Sequence, residues 1–231
     1  MLSNIKISKK QIYFIIIFTI LGFIALQIPL TQLVGSKVKF TLFDFIGPIA
    51  SGFIGTLPGL LAVFLIQFFN FLTHGAKVVD AGTIIRFFPM LFAALYFGKK
   101  SKWTLLVPVA AIIAFAIHPI GRTAWYFSLY WLIPIACHFL REKFLIARAL
   151  GATFTAHAVG GALWIYAFNM PQSLWDSLIP IVAMERLMFA AGIAVTYVLA
   201  NNALNFLMEK KVVKWQLPVD RRYVWGHGRS A

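Results

Sequence analysis

A succession of apolar runs, each roughly 15 to 20 residues long, recurs from Ile12 to Leu207 and limits what this chain can fold into. Charged residues make up only 12% of the 231, against 61% hydrophobic, too few to cover so much apolar surface in water. No alternating barrel-type pattern competes with the runs. The fold class that follows is all-α: a polytopic integral membrane helix bundle of about six to eight transmembrane helices. Residues 1–208 form the membrane domain and residues 209–231 a basic tail. Cys137 is the one cysteine, so no disulfide framework exists.

Expected spans are Ile12–Leu30, Phe43–Gly55, Leu57–Leu72, Ala81–Phe97, Thr104–Ile117, Trp125–Phe139, Ala149–Phe168 and Leu178–Leu207. Fifteen helical residues reach only about 23 Å, so flanking residues must join several of these or the segment stops short of crossing. The first run follows lysines, as a signal peptide would. It leads into "LQIPLTQLVG" without a small-residue cleavage pattern and therefore reads as a span.

Basic residues alternate between loops in the way that sets orientation. Lys6, Lys9 and Lys10 precede the first span, Lys99, Lys100 and Lys102 follow the fourth, and Arg141, Lys143 and Arg148 follow the sixth. Lys210, Lys211, Lys214, Arg221, Arg222 and Arg229 fill the tail. The opposite loops hold only Lys37, Lys39, Lys77 and Arg122. Both termini are thus expected on the cytoplasmic side of a multi-pass plasma-membrane protein. The net charge of +14 then reflects topology and contact with anionic membrane lipid, with no nucleic-acid partner.

The stretch "FIGPIASGFIGTLPG", residues 45–59, places four glycines and two prolines among apolar residues. Pro58 and Gly59 account for a corner between the second and third spans. Gly47, Ser51, Gly55 and Gly59 recur every four residues, and the first three share a helix face that another helix could approach closely. Ala152, Ala156 and Gly160 repeat the theme. Such rows serve plain packing seams in many bundles.

The segment "IPLTQLVGSKVKFTLFDFIGPIASGFIGTLPGLLAVFLIQ" resembles the first part of the substrate-binding membrane subunits, or S components, of energy-coupling-factor transporters. Its continuation "FLIQFFNFLTHGAKVVDAGTIIRFFPMLFAALYFG" is similar to the cobalt/nickel branch of that superfamily, and the likeness covers roughly residues 26–98. The chain departs from the pattern in opening "MLSNIKI", without a histidine at the second position, and in having only Gly22 and Ala25 as small residues in its first helix. The resemblance implies uptake of a vitamin-like or related micronutrient bound from the external face. It also implies a separate coupling membrane subunit and ATPase subunits as partners. Consistent with borrowed energy, no phosphate-binding Gly-x-x-x-x-Gly-Lys-Ser/Thr loop is present.

Ionisable groups at membrane depth are costly and favour a bundle interior or a watery cavity. Under the orientation above, Gln27, Asp44, Gln67, Asn70, Arg86, His118, Arg122, Glu185 and Arg186 fall toward the outer ends of their spans, with His157 nearer mid-depth. Near the cytoplasmic ends polar residues are few, chiefly His138, Asn201, Asn202 and Asn205. The expected substrate-binding set is Asp44, Asn70, Arg86, His118, Arg122, His157, Trp164, Glu185 and Arg186. Each has a bland counterpart. Asp44 suits either a helix cap or a cavity, and Arg86 either reaches to the interface or clamps an anion. Glu185 and Arg186 point about 100° apart and so pair poorly with each other, which puts at least one of them against another helix. The aromatics of "HPIGRTAWYFSLYW", with Trp164, Tyr166 and Trp175, form either an interfacial belt or a stacking wall. Arg86, Arg122 and Arg186 outnumber Asp44 and Glu185, which favours an anionic small-molecule substrate.

The five histidines lack paired metal-ligand spacing, so no metal site or cofactor is expected. The chain is read as a non-enzyme. One alternative is an intramembrane lipid-modifying enzyme using His118, His157, Asp44 or Glu185 as acid and base, which would require these groups within reach of one another. Another is a structural membrane subunit with closed ion pairs and no cavity.

Overall fold

Helix α1, Lys9–Leu26, starts at a capping box. Ser8 Oγ accepts from the Gln11 amide and Gln11 Oε1 accepts from the Ser8 amide. Its buried residues Ile15, Phe18, Thr19, Gly22 and Ala25 form one helical stripe, while Ile16, Ile17, Ile20, Leu21 and Ile24 lie exposed on the other face. An amphipathic helix of a soluble protein would put charges there; this one is apolar all round. The computed structural model describes residues 8–32, 39–75, 79–98, 100–212 and 219–226. Lys6, Lys37, Lys77, Lys99, Lys214, Arg229 and His227, used above for orientation or metal spacing, lie outside the described residues.

After α1 a short antiparallel hairpin pairs β1, Pro29–Gln32, with β2, Lys39–Thr41. An all-helical reading missed this small sheet, although the alternation Val38-Lys39-Phe40-Thr41 carries the strand period. The segment expected as one second span is broken into α2, Phe43–Ile46, a 3-10 turn over Gly47–Ile49, and α3, Ala50–Ile54. The row Gly47, Ser51 and Gly55 is therefore not one continuous helix face. Gly55 has φ +93°, a backbone open to glycine and strained for other residues, and there the chain reverses into α4, Thr56–Asn70. At Gly59 a Cβ would stand 2.5 Å from the Ser51 Cα, so only glycine lets α4 cross α3 this closely.

A π-turn over Phe71–Gly75 extends α4; α5, Ala81–Ile85, and α6, Phe87–Phe97, follow. Asp80 caps α5 by accepting from the Thr83 amide at 2.7 Å and the Thr83 hydroxyl at 2.7 Å, bonds that hold its carboxyl below the ordinary range. Next come α7, Leu106–Ile117, α8, Pro119–Thr123, a 3-10 stretch over Trp125–Leu132, and α9, Ile133–Leu140. The two longest helices close the bundle: α10, Leu145–Ala167, and α11, Gln172–Glu209.

Three helical stretches are long and apolar enough to cross a membrane: Lys9–Leu26, Thr56–His74 and Gln172–Glu209. Four shorter apolar stretches, Phe43–Ile54, Ala81–Phe97, Lys102–Ile117 and Trp125–Leu140, correspond to other expected spans. The remaining one is α10, which is rich in Ala, Gly and Thr because it runs through the middle. It packs on α6, α7, α9 and α11, and half its residues are buried. One apolar core, around α1, α3, α4 and α6, reaches α10 at Ala149, Ala152 and Ala156. The other, around α7 and the Trp125–Leu132 turns, reaches it at Phe154, Ala158 and Ile165.

The basic tail is not wholly free of the bundle. Buried Asn201 on α11 both donates to the Asp220 carbonyl (3.0 Å) and accepts from the Asp220 amide (2.8 Å). Its neighbour Asn202 grips the Tyr223 carbonyl (2.7 Å) and the Trp225 amide (2.8 Å) in the same way. Arg222 then pairs with Asp220 at 2.7 Å and donates to the Glu142 carbonyl at 2.6 Å, in the turn between α9 and α10. Burial pushes the Asp220 carboxyl up, but the bonds from Arg222 outweigh it and the net shift is downward.

Candidate functional site

The two apolar cores part at one end of the bundle and leave a cavity of about 350 Å³. Its walls come from the carboxyl ends of α1 and α4, the amino ends of α2, α6 and α11, and the far half of α10, with β2 contributing Lys39, Phe40 and Thr41. Cavities of about 300 to 1,000 Å³ with apolar walls and a few convergent polar groups are the usual form of small-molecule sites.

Seven of the nine expected residues border it: Asp44, Asn70, Arg86, His157, Trp164, Glu185 and Arg186. Asp44, in the first turn of α2, accepts from the Thr41 amide at 2.7 Å through Oδ2. That amide lies ahead of α2, whose N-cap Leu42 makes no side-chain capping bond, so Asp44 is not the helix cap; it ties the end of β2 to α2 and borders the cavity. Asn70 accepts from Gln27 at 3.3 Å, tying α1 to α4 at the rim, and Gln67 beside it donates to the Phe87 carbonyl at 3.1 Å. Arg86 is exposed, at the junction of α5 and α6. Trp164 stacks on Phe168 with ring centres 4.5 Å apart.

Glu185 and Arg186 correct one expectation. Despite pointing apart along α11 they form an ion pair at 3.6 Å, since both side chains are long enough to bend toward each other. Arg186 also reaches another helix, donating from Nη1 to Thr153 Oγ1 on α10 at 3.3 Å. Its guanidinium carbon lies 4.9 Å from the Phe40 ring centre and 4.5 Å from that of Phe189. Arg186 is 6% exposed, and its Nε has no hydrogen-bond partner among the described residues.

His157 is held by Trp131, whose indole N–H donates to Nδ1 at 3.1 Å. Because an indole nitrogen only donates, Nδ1 must be the accepting nitrogen, and a neutral ring then carries its proton on Nε2. Trp131 is itself fixed by Gly161, where a Cβ would come within 2.7 Å of the indole. Gly151 and Gly161, rather than the expected Gly160, are the close-approach positions of α10; a Cβ at Gly160 would make ordinary contact at 3.6 Å.

His118 and Arg122 do not line the cavity. Pro119 starts a separate short helix, α8, that carries both away from it. The His118 ring packs edge-on against Tyr166, 4.9 Å between centres, and exposed Arg122 makes one long contact, 3.5 Å, to the Ile117 carbonyl. Of the acid/base alternatives, His157, Asp44 and Glu185 border the cavity and His118 does not. Among the described residues no group of three or more His, Cys, Asp or Glu side chains comes together as metal ligands do.

Two residues outside the expected set matter here. Trp175 is 2% exposed, borders the cavity, and its Nε1 has no hydrogen-bond partner among the described residues. Phe127 borders the same space and meets Trp175 edge-on at 4.9 Å. The sequence held a signal for Trp175: it shares an α11 face with Leu178, Val182 and Arg186.

At the other end of the bundle an open groove of about 800 Å³ runs past Lys10, Lys100, Glu142 and Arg148. It is lined by the Gly55 corner and the amino end of α1.

The chain is 25% identical over 204 residues to an uncharacterized protein of Methanocaldococcus jannaschii, an alignment covering 78% of this chain and 67% of that protein. No family model matches the chain, and no solved structure does.

Proposed function

We propose that this chain is a multi-pass plasma-membrane protein that binds a small molecule for uptake, acting as the substrate-binding subunit of an energy-coupling-factor type transporter. The observation that carries the reading is the cavity bordered by seven of the nine expected residues, six of them polar groups costly at membrane depth. Under the orientation expected from the basic loops, the cavity opens outward and both termini are cytoplasmic. The short apolar helices complete a bundle of six to eight spans, in which the exposed apolar face of α1 meets lipid. The chain's likeness over residues 26–98 supports a separate coupling subunit and ATPase subunits as the energy source.

The test has two arms. Purified protein in nanodiscs is titrated with a vitamin and micronutrient panel, and affinity-tagged chain is isolated from its native membrane with associated proteins identified by mass spectrometry. Saturable binding together with recovery of an ATPase is expected. Isolation of a lone chain that binds nothing on the panel would sink the proposal, as would a reporter placing the carboxyl tail outside.

A further inference from the structure

We infer that the ligand presents a hydrogen-bond acceptor, carried on a flat uncharged ring, to the Nε2–H of His157, and that Trp131 is the positioning residue that fixes this donor. This rests on the cavity being a ligand site, as proposed above. The first ground is the place of the proton. The Trp131 indole donates to Nδ1 at 3.1 Å, so a neutral imidazole carries its one proton on Nε2. Trp131 is fully buried, with Phe115 edge-on at 5.2 Å and Phe127 edge-on at 6.4 Å between ring centres. The packing that holds the indole in place therefore also selects the tautomer.

The second ground is the direction of the donor. His157 is half-buried, and the rings of Phe127, Tyr130, Trp131 and Phe154 stand around the imidazole with centres between 5.5 and 6.5 Å away. Nε2 has no hydrogen-bond partner among the described residues, yet it keeps accessible surface, unlike the sealed Nδ1 atoms of His118 and His138. His157 shares its face of α10 with Gly160, Gly161 and Trp164, and all four border the cavity. The surface that Nε2 keeps is thus cavity surface, where an occupant can supply the acceptor.

The third ground is shape and charge. His157 and Trp164 are seven residues apart, about 10 Å along the axis, and the positions between them on this face are the two glycines. The floor there is bare backbone. It is narrow, since a Cβ at Gly160 would stand 3.6 Å from Pro89 and one at Gly161 would stand 2.7 Å from Trp131. Such a slot takes the edge of a flat ring and refuses a branched chain. The cations bordering the cavity, Lys39, Arg86 and Arg186, are matched by Asp44 and Glu185 together with Asp80, which acts on Arg86, so no net charge is asked of the ring.

The test uses full-length protein in nanodiscs, isotope-labelled at the histidine ring nitrogens and observed by NMR at about pH 8, where an ordinary imidazole is neutral. The probes are quinoline, indole and naphthalene, flat bicycles of similar size that offer a ring acceptor, an N–H donor and neither. His157→Phe identifies the His157 resonances by their loss. Nε2 is expected protonated and Nδ1 bare, and Trp131→Phe, which keeps a ring and deletes the indole N–H, should mix the two tautomers. Quinoline should raise thermal stability at about tenfold lower concentration than indole or naphthalene, and shift the Nε2 resonance as it does so. In His157→Phe that preference should vanish with naphthalene unchanged. A proton on Nδ1 in the wild type would overturn the inference, as would indole or naphthalene matching quinoline, or a quinoline preference that survives in His157→Phe. A single tautomer retained in Trp131→Phe would overturn the positioning role; if that variant does not fold, the wild type and His157→Phe still decide the donor. Silence of all three bicycles overturns the inference alone, and silence of the micronutrient panel as well removes the reading beneath it.

Discussion

Arginines drawn into the protein stand at both ends of this bundle, Arg141 and Arg186 buried and Arg148 half-buried, and they meet different partners. At the groove end, Arg141 and Arg148 converge on the last carbonyls of α6. Arg141 donates to Gly98 at 2.6 Å and Arg148 to Phe97 at 2.6 Å, and each guanidinium lies over a ring, Tyr96 at 4.8 Å and Phe97 at 4.3 Å. These are the orphan acceptors that every helix end leaves, met by cations that also suit the helix dipole. At the cavity end, Arg186 meets one hydroxyl at 3.3 Å and one carboxylate at 3.6 Å, and its Nε lacks a hydrogen-bond partner among the described residues, as Nη1 of Arg141 does at the groove end. A buried cation that closes a helix end is structural. One that lines a cavity, as Arg186 does, is one on which the proposed ligand site would depend.

The contrast can be broken by substitution, with unfolding monitored in detergent. Replacing both Arg141 and Arg148 by Met should have the largest effect on folding, about 4 kcal/mol, because two desolvated carbonyls lose their charged donors, while ligand binding in the surviving folded fraction is unchanged. Gly161→Val comes next at about 2 kcal/mol, since the side chain displaces Trp131. It frees the His157 ring and so should also lower ligand affinity, which isothermal titration would report. Asn201→Ala should cost about 1 kcal/mol and expose residues 219–226 to protease, leaving the cavity untouched.

The paired change Glu185→Leu with Arg186→Met is the sharpest test. Exchanging a buried ion pair for apolar side chains of similar size should shift stability by less than about 1 kcal/mol yet abolish ligand binding. A large stability loss there would make Arg186 a structural residue like its counterparts. The smallest effect belongs to pH. The Asp220 carboxyl is held below its unfolded value, near 3.9, so the tail clip is at full strength above about pH 4 and is lost as pH falls through the folded value. Hydrogen exchange at Tyr223 and Trp225 should accelerate only under that acid condition.

Much of this architecture was legible in the chain, and the gaps have physical causes. The apolar runs found most helices because burial against lipid or protein leaves the same composition. The corner at Gly55 was readable from Pro58 and the glycines around it. What periodicity could not give was where a run breaks: the 3-10 turn at Gly47–Ile49 and the split at Arg86 depend on packing against α6 and α11. For the site, the cost of charge at membrane depth picked out Asp44, His157, Glu185 and Arg186. The same rule swept in His118 and Arg122, because depth along a span does not say which way a corner turns. It passed over Trp175, whose relevance lies in a missing partner, and an absence of that kind is visible only in three dimensions.

The paired asparagines of α11 bear on the order in which the protein can mature. Residues 219–226 are made after every helix they hold, and they join α11 to the turn carrying Glu142. During synthesis that turn stays unfastened from α11 until the last of these residues has been made. Assembly therefore has a late step, and a ribosome-stalled chain lacking those eight residues would have all its long helices made yet unlatched.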